Sequence, residues 1–481
     1  MDRHSRSLLA ALAVGILGCA DDGVVAPAES EASRFEETIA RFDLGPLPPI
    51  PYPPDNRFNL ERIALGKLLF FDPILGGESA PRVKRAMGED PYRFRANDVA
   101  CATCHHPTLA FADSRRIGAG VSGARFRDTD LGPARVVPGP SLVTGLPVGT
   151  EPRNTPTVLN TAFNGRGSNV PAFESFQFMD GRVTMGLEEQ AILPITSRDE
   201  MAGDAYGVVF GAPGVADVIR DSVTLRIRAT PEYVARFGQA FAGEVVTAND
   251  ITIEHIGRAV AAFERELITP GSRYDQFVSG RFDAFTDHER RGFELFFGKG
   301  LCGDCHNGPM LSDFTFRVQG VGDAYESVLP GFGGKSGTGE DFGRFHADEV
   351  EFADRRYAFR VPTVRNVELT APFFHSGSAG TLHELMEFYN RGGLGPSDVS
   401  DETLAAGGAT RDPSIRPLGL TPEEIDAIVA FMRTTTAPVQ NHAIDLLSVP
   451  ERVPSGLLPP GIRTPDFPGP YLVKKSRDVE H

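Results

Sequence analysis

The chain has no tryptophan in 481 residues. Any mechanism that needs an indole radical is excluded. Cysteine is scarce: five in all, too few to staple a chain of this size with disulfides. Cations are outnumbered, 48 Lys and Arg against 64 Asp and Glu, for a net charge of −16. A surface of that sign repels phosphate backbones, which argues against nucleic-acid binding. No segment after the N-terminus reaches the ~18 apolar residues of a membrane-spanning helix. What remains is ordinary globular composition, 41% hydrophobic and 23% charged, enough for two or three domains with a sizeable core. The 52 Gly and 38 Pro predict long ordered loops or tails.

Residues 1–19 read MDRHSRSLLAALAVGILGC. Arg3, His4 and Arg6 precede a short apolar run, Leu8–Leu17, the pattern of an export signal. Ile16-Leu17-Gly18-Cys19 resembles a lipobox, so cleavage leaves Cys19 as a lipidated N-terminus. The alternative is an ordinary signal peptide with an incidental Cys. The expected location is the periplasm, with the membrane reached only through this anchor.

The other four cysteines stand as Cys101-Ala102-Thr103-Cys104-His105 and Cys302-Gly303-Asp304-Cys305-His306. Each is a C-x-x-C-H, the attachment signature of c-type haem. Two thiols at this spacing reach the two vinyl groups of one porphyrin, and the next residue places an imidazole on the iron. A four-Cys zinc site, redox dithiols and disulfides compete for the same residues. None of them needs a His directly after each pair. Two haems c are the expected cofactors, and export agrees with attachment outside the cytoplasm.

Around these motifs the sequence repeats. Gly66-Lys67-Leu68-Leu69-Phe70-Phe71 precedes the first and Gly292-Phe293-Glu294-Leu295-Phe296-Phe297 the second. Pro156-Thr157-Val158-Leu159-Asn160 follows the first and Pro362-Thr363-Val364-Arg365-Asn366 the second. Two related halves, each enclosing one haem, follow from that order. Helix signals dominate. Capping boxes open at Thr286, Thr381 and Thr421, and Ile251–Leu267 is apolar at helical spacing. The expected fold is mainly α: two cytochrome c-like haem domains with long loops, at 56–275 and 276–438. An acidic and Pro-rich tether and strap covers 20–55. A Pro-rich tail, wrapping or disordered, covers 439–481.

The ordered motifs LGKLLFFDP (65–73), CATCHHP (101–107), RNTPTVLNTAF (153–163), MDGRVTMGLEEQ (179–190), AFERELI (262–268), CHNGP (305–309), VPTVRNVELTAPFFHSG (361–377) and FYNRGG (388–393) resemble the bacterial dihaem cytochrome c peroxidase and MauG family. The resemblance spans roughly residues 49–435. It implies that the His105 haem reacts with peroxide and the His306 haem passes electrons to it. It places a proton-transferring carboxylate at Glu200, before Met201, with Gln190 and Pro194 lining the same pocket. By residue type alone, Glu200 reads as a solvated loop carboxylate.

Two departures from the family pattern stand out. Other members place a His in the loop after the first haem motif. Here RIGAGVSG (116–123) has none, and no His lies between 107 and 254. The His105 haem is therefore expected to be open or water-bound. Met179 stands where the family has Trp between the haems. The distal ligand of the His306 haem maps to Tyr389, fourteen residues after His375, as in MauG-like members; Met386 is the runner-up. A calcium ion between the haems maps to Asn154, Thr370 and Pro372.

Plainer roles are expected elsewhere. His106, His255, His288 and His383 read as surface residues, and Asp180 and Arg182 as structural polar contacts. His375 is expected to stack or hydrogen-bond near a haem. The expected function is reduction of hydrogen peroxide with electrons from a small cytochrome c or cupredoxin. The alternative is a MauG-like enzyme that oxidises residues of a partner protein through a high-valent iron state. A non-enzymatic dihaem carrier needs both irons six-coordinate, and the missing His argues against it. A homodimer is a further expectation.

Overall fold

The computed structural model describes residues 30–77, 99–118, 151–204, 206–323, 341–440, 444–457 and 459. The signal segment with Cys19, residues 119–123 of the loop and most of the C-terminal tail lie outside them. The capping boxes form as the sequence predicts. Thr286 opens the helix Asp287–Phe297, Thr381 the helix Leu382–Asn390 and Thr421 the helix Pro422–Arg433. In each, the Thr hydroxyl accepts from the backbone N–H three residues on, and a Glu carboxylate there accepts the Thr N–H. The apolar stripe at 251–267 folds as the helix Ile253–Arg265.

Two large hydrophobic cores result, with a small third cluster at Ala162, Phe163, Ile268, Met310 and Phe314. In the first, the helix Leu60–Phe71 crosses Ile253–Arg265; in the second, Asp287–Phe297 crosses Pro422–Arg433. Both crossings turn on glycine. A Cβ on Gly66 would lie 1.8 Å from the Ala259 carbonyl oxygen, and one on Gly292 1.9 Å from that of Ala427. The sequence repeat is thus a structural repeat. Its second element agrees: Asn160 and Asn366 both hold a left-handed backbone, at φ 61° and 60°.

Among the described residues, sheet is limited to Phe316–Val318 paired antiparallel with Ala358–Arg360, with Phe316 opposite Arg360. No described helix is long and apolar enough to cross a membrane.

The strap contains a helix that its proline count hides. Glu31–Arg41 is capped by Ser30 and buries Phe35 beside Phe277, Phe282 and Phe293 of the second core. Apolar Phe35 and Ile39 are one turn apart, which gives the acidic segment a face to bury. At the other end, Val439, Leu446 and Val453 bury in the first core, and Ser455 Oγ donates to Asp72 Oδ1 at 2.6 Å. The described part of the tail wraps, and each terminal segment covers the opposite half.

Candidate functional site

The two C-x-x-C-H segments fold alike. Cys101–Cys104 form one helical turn and Cys302–Asp304 a 3-10 turn. The His105 backbone N–H donates to Cys101 at 2.9 Å, and that of His306 to Cys302 at 2.8 Å. The chain then doubles back over each ring. His105 Nδ1 lies 3.0 Å from the Phe111 carbonyl and His306 Nδ1 2.9 Å from that of Leu311. A carbonyl only accepts, so Nδ1 carries the proton in both rings and Nε2 keeps its lone pair. Burial lowers both imidazoles from the ordinary histidine value, which disfavours their charged form. This is the tautomer that ligates a metal through Nε2.

The four cysteines form no disulfide with one another. Cys101, Cys104 and His105 line one cavity; Cys302, Cys305 and His306 line another. Burial pushes the Cys101, Cys302 and Cys305 thiols upward, the last two to about 12. A redox dithiol needs the opposite shift. Among the described residues, no three His, Cys, Asp or Glu groups converge on a metal-sized site. Zinc, disulfide and dithiol readings therefore lack support, and the residues fit haem c. The cavities are large and mainly apolar, about 1200 and 1680 Å³ with their open mouths included.

The first cavity brings together the residues assigned to peroxide chemistry. Gln190, Pro194, Glu200 and Met201 all line it, and His105 is the only histidine among its described lining residues. Glu200 rides on a single π-helical turn, Arg198–Ala202, closed by Ala202 N–H to Ser197 and Gly203 N–H to Arg198, both at 2.9 Å. Such turns are frequent at functional sites. Arg182 Nη2 lies 3.5 Å from Glu200 Oε1, and its Nη1 2.9 Å from buried Asp180. Arg153 bonds the same Asp180 oxygen at 2.7 Å and clamps Asp341 through two nitrogens. Burial would raise the Asp341 carboxyl, but Arg153 outweighs it and holds it well below the usual range.

Both candidate distal residues of the second cavity, Tyr389 and Met386, line it. Gln319 Nε2 donates to Tyr389 Oη at 2.9 Å. Burial pushes the Tyr389 phenol up, and the Gln319 amide opposes that shift. His375 stacks on Phe359 with ring centres 3.9 Å apart and bonds Asp323 through Nε2 at 3.0 Å.

The cavities share a wall made by Asn154–Thr157, Thr161, Asn164, Met179 and Arg360. Met179 borders both. Asn154, Thr370 and Pro372 all line the second cavity, and Asn154 Nδ2 donates to the Arg115 carbonyl at 2.5 Å.

His106 corrects an expectation. It is buried, not at the surface, because the backbone reversal over His105 folds it inward; its Nδ1 lies 2.7 Å from Thr108 Oγ1. His255 is half-buried against Phe241, while His288 and His383 are exposed. Sequence reasoning missed Arg153, Asp341, Gln319, Arg360 and Glu264. Glu264 lines the first cavity with Oε2 unpartnered, and burial raises its carboxyl to about 8. The available signal was charge inside otherwise apolar motifs, as in AFERELI (262–268) and the FRVPT of 359–363.

Comparison with known proteins agrees with this geometry. Residues 60–283 match the family model described as di-haem cytochrome c peroxidase. The methylamine utilization protein MauG of Methylorubrum extorquens is 28% identical over 427 residues, covering 88% of this chain and 92% of that protein. The cytochrome c551 peroxidase of Pseudomonas aeruginosa is 31% identical over 346 residues, covering 70% and 75%. Among solved structures, a MauG-like protein associated with microbial copper homeostasis superposes with a TM-score of 0.57 at 25% identity, covering 84% and 97%. With two matched cysteine–histidine cavities and relatives along most of its length, the chain belongs to the di-haem cytochrome c peroxidase family.

Proposed function

We propose that the protein reduces hydrogen peroxide to water at the His105 cavity. Electrons would come from a small cytochrome c or cupredoxin through the His306 cavity. The balance is H2O2 plus two electrons and two protons to two waters. The observation that carries this reading is the asymmetry of the cavities. One is lined by Glu200 and Gln190 together with His105; the other is lined by His306 with Tyr389 and Met386 as candidate ligands.

When bound, haem c supplies an iron that exchanges single electrons and cleaves the O–O bond. The chain supplies the rest. His105 and His306 each present Nε2 because a carbonyl holds the Nδ1 proton. Glu200, steadied by Arg182, takes the proton from peroxide and returns it to the departing oxygen. Gln190 and Pro194 shape the space in which peroxide stands. Tyr389, with the Gln319 amide on its oxygen, closes the second site.

The finer assignments belong to the same proposal. Haem domains at 56–275 and 276–438 are supported by the two hydrophobic cores. Calcium at Asn154, Thr370 and Pro372 is supported by their common place in the second cavity and by the oxygen donors they offer. Export to the periplasm and tethering at Cys19 rest on the first 19 residues. A homodimer rests on the family resemblance alone.

A second reading has its own support. Tyr389 at the second cavity is the MauG-like choice, and the aligned relative named MauG is covered over 92% of its length. In that reading the enzyme oxidises residues of a partner protein. One experiment separates the two: mix the diferric protein with peroxide and follow the Soret band, with and without a reduced small cytochrome. Rapid oxidation of the cytochrome upholds the peroxidase. A long-lived spectral change with little cytochrome turnover favours the second reading. No change in either arm contradicts both.

A further inference from the structure

Among the described residues, Arg360 is a cation without a paired carboxylate. Its backbone N–H donates to Met179 at 2.8 Å and its Nε to the Phe178 carbonyl at 3.0 Å. Its head lies 5.7 Å from the Phe314 ring. Among the described residues, no carboxylate forms an ion pair with it. The acid whose field reaches it, Asp180, is already engaged by Arg153 at 2.7 Å and Arg182 at 2.9 Å. Arg153, which lines the first cavity only, shows the contrast, since two carboxylates hold it. Burial lowers the Arg360 guanidinium to about 10, with only Asp180 opposing. Arg360 is half-buried on the cavity wall, and a charge there that loses its water needs a partner. No described carboxylate fills that role, which leaves a group bound in the cavities as the candidate partner.

Its place identifies that partner's chemistry. Each cysteine pair lines one cavity only, whereas Arg360 lines both. Cysteines hold a haem c by its vinyl edge, and the two propionate carboxylates project from the opposite edge. The wall shared by the cavities carries no cysteine. We propose that Arg360 is the common anchor for the propionate carboxylates of the two haems, one guanidinium serving both sites across the shared wall. With Nε held by Phe178, the four N–H donors of the two Nη atoms suit carboxylates from two directions. Because a cation beside an iron centre favours the reduced state, Arg360 also ties the two potentials together. This inference rests on the two-haem reading above.

The test is spectroelectrochemical titration of the holoprotein, with haem per chain measured by its pyridine adduct. The wild type is expected to hold two haems. In Arg360→Gln, the ferric-to-ferrous ratio at fixed ambient potential is expected to rise about tenfold at both centres, or about 59 mV downward for a one-electron couple. Arg360→Lys loses the fork but keeps the charge that acts on the irons, and is expected to stay within about twofold of wild type at both centres. The proposal is overturned if Arg360→Gln titrates like wild type, if only one centre moves, or if Arg360→Lys shifts as far as Arg360→Gln. Should Arg360→Gln not take up two haems, Arg360→Met is titrated in its place: a tenfold shift at both centres upholds the anchor, and wild-type ratios overturn it. A wild-type protein with fewer than two haems would instead refute the two-haem reading itself.

Discussion

Asn160 and Asn366 send their side-chain amides to one hydroxyl: each Nδ2 lies 2.7 Å from Thr269 Oγ1. The two asparagines close the repeated Pro-Thr-Val-x-Asn segments, so the repeat meets itself at a fully buried point between the halves. Thr157 and Thr363 repeat the pattern, donating to the Ala110 and Met310 carbonyls at 2.6 and 2.5 Å. Thr269→Val strands both amides, at about 1–3 kcal/mol for each unsatisfied group. The expected outcome is a lower denaturation midpoint with an unchanged denaturant slope; an unchanged midpoint contradicts it.

Gly292 lies where two helices touch. Gly292→Ala puts a methyl 1.9 Å from the Ala427 carbonyl oxygen, a backbone atom that cannot rotate away. The helices must part, at about 1–3 kcal/mol. Gly243→Ala, where nothing lies within 4 Å of the added carbon, strains only the backbone, through its φ of 88°. Thermal unfolding of the two variants should separate close packing from backbone strain.

Glu200→Gln keeps the shape and removes the proton acceptor. The rate of the diferric protein with peroxide is expected to fall about 100-fold or more, with two haems still bound. A wild-type rate in stopped flow would remove Glu200 from the mechanism.

Glu264 predicts a pH slope. Its carboxyl titrates near 8 in the fold against an ordinary value of 4.5, so between these values the native chain holds a proton that the unfolded chain releases. Its stabilising contribution is full below about 4.5 and is lost as pH rises through about 8. Asp113, raised to about 6 by burial, adds a slope of the same sign. Glu264→Gln is expected to flatten the fall of Tm across this window, leaving the Asp113 part; equal slopes in mutant and wild type would contradict the assignment.

Much of the site is legible in the sequence because covalent chemistry fixes its spacing. The thiol pairs and the His after each follow from porphyrin geometry, and the three capping boxes from local backbone hydrogen bonds. Long-range partnerships are not local. Nothing near Tyr389 announces Gln319, seventy residues away, and nothing near Arg153 announces Asp341. The helix at Glu31–Arg41 was hidden because its burial depends on Phe277 and Phe293, which are distant in the chain. His106 looked like a surface residue because its burial depends on the reversal that brings the Phe111 carbonyl onto His105.

The central claim is that two irons with matching histidines differ on their other faces. Electron paramagnetic resonance of the diferric holoprotein tests it most directly. The account predicts equal amounts of one high-spin centre, in the Glu200 cavity, and one low-spin centre, which Tyr389→Phe converts and Met386→Leu does not. Two low-spin centres in the untreated protein would contradict it.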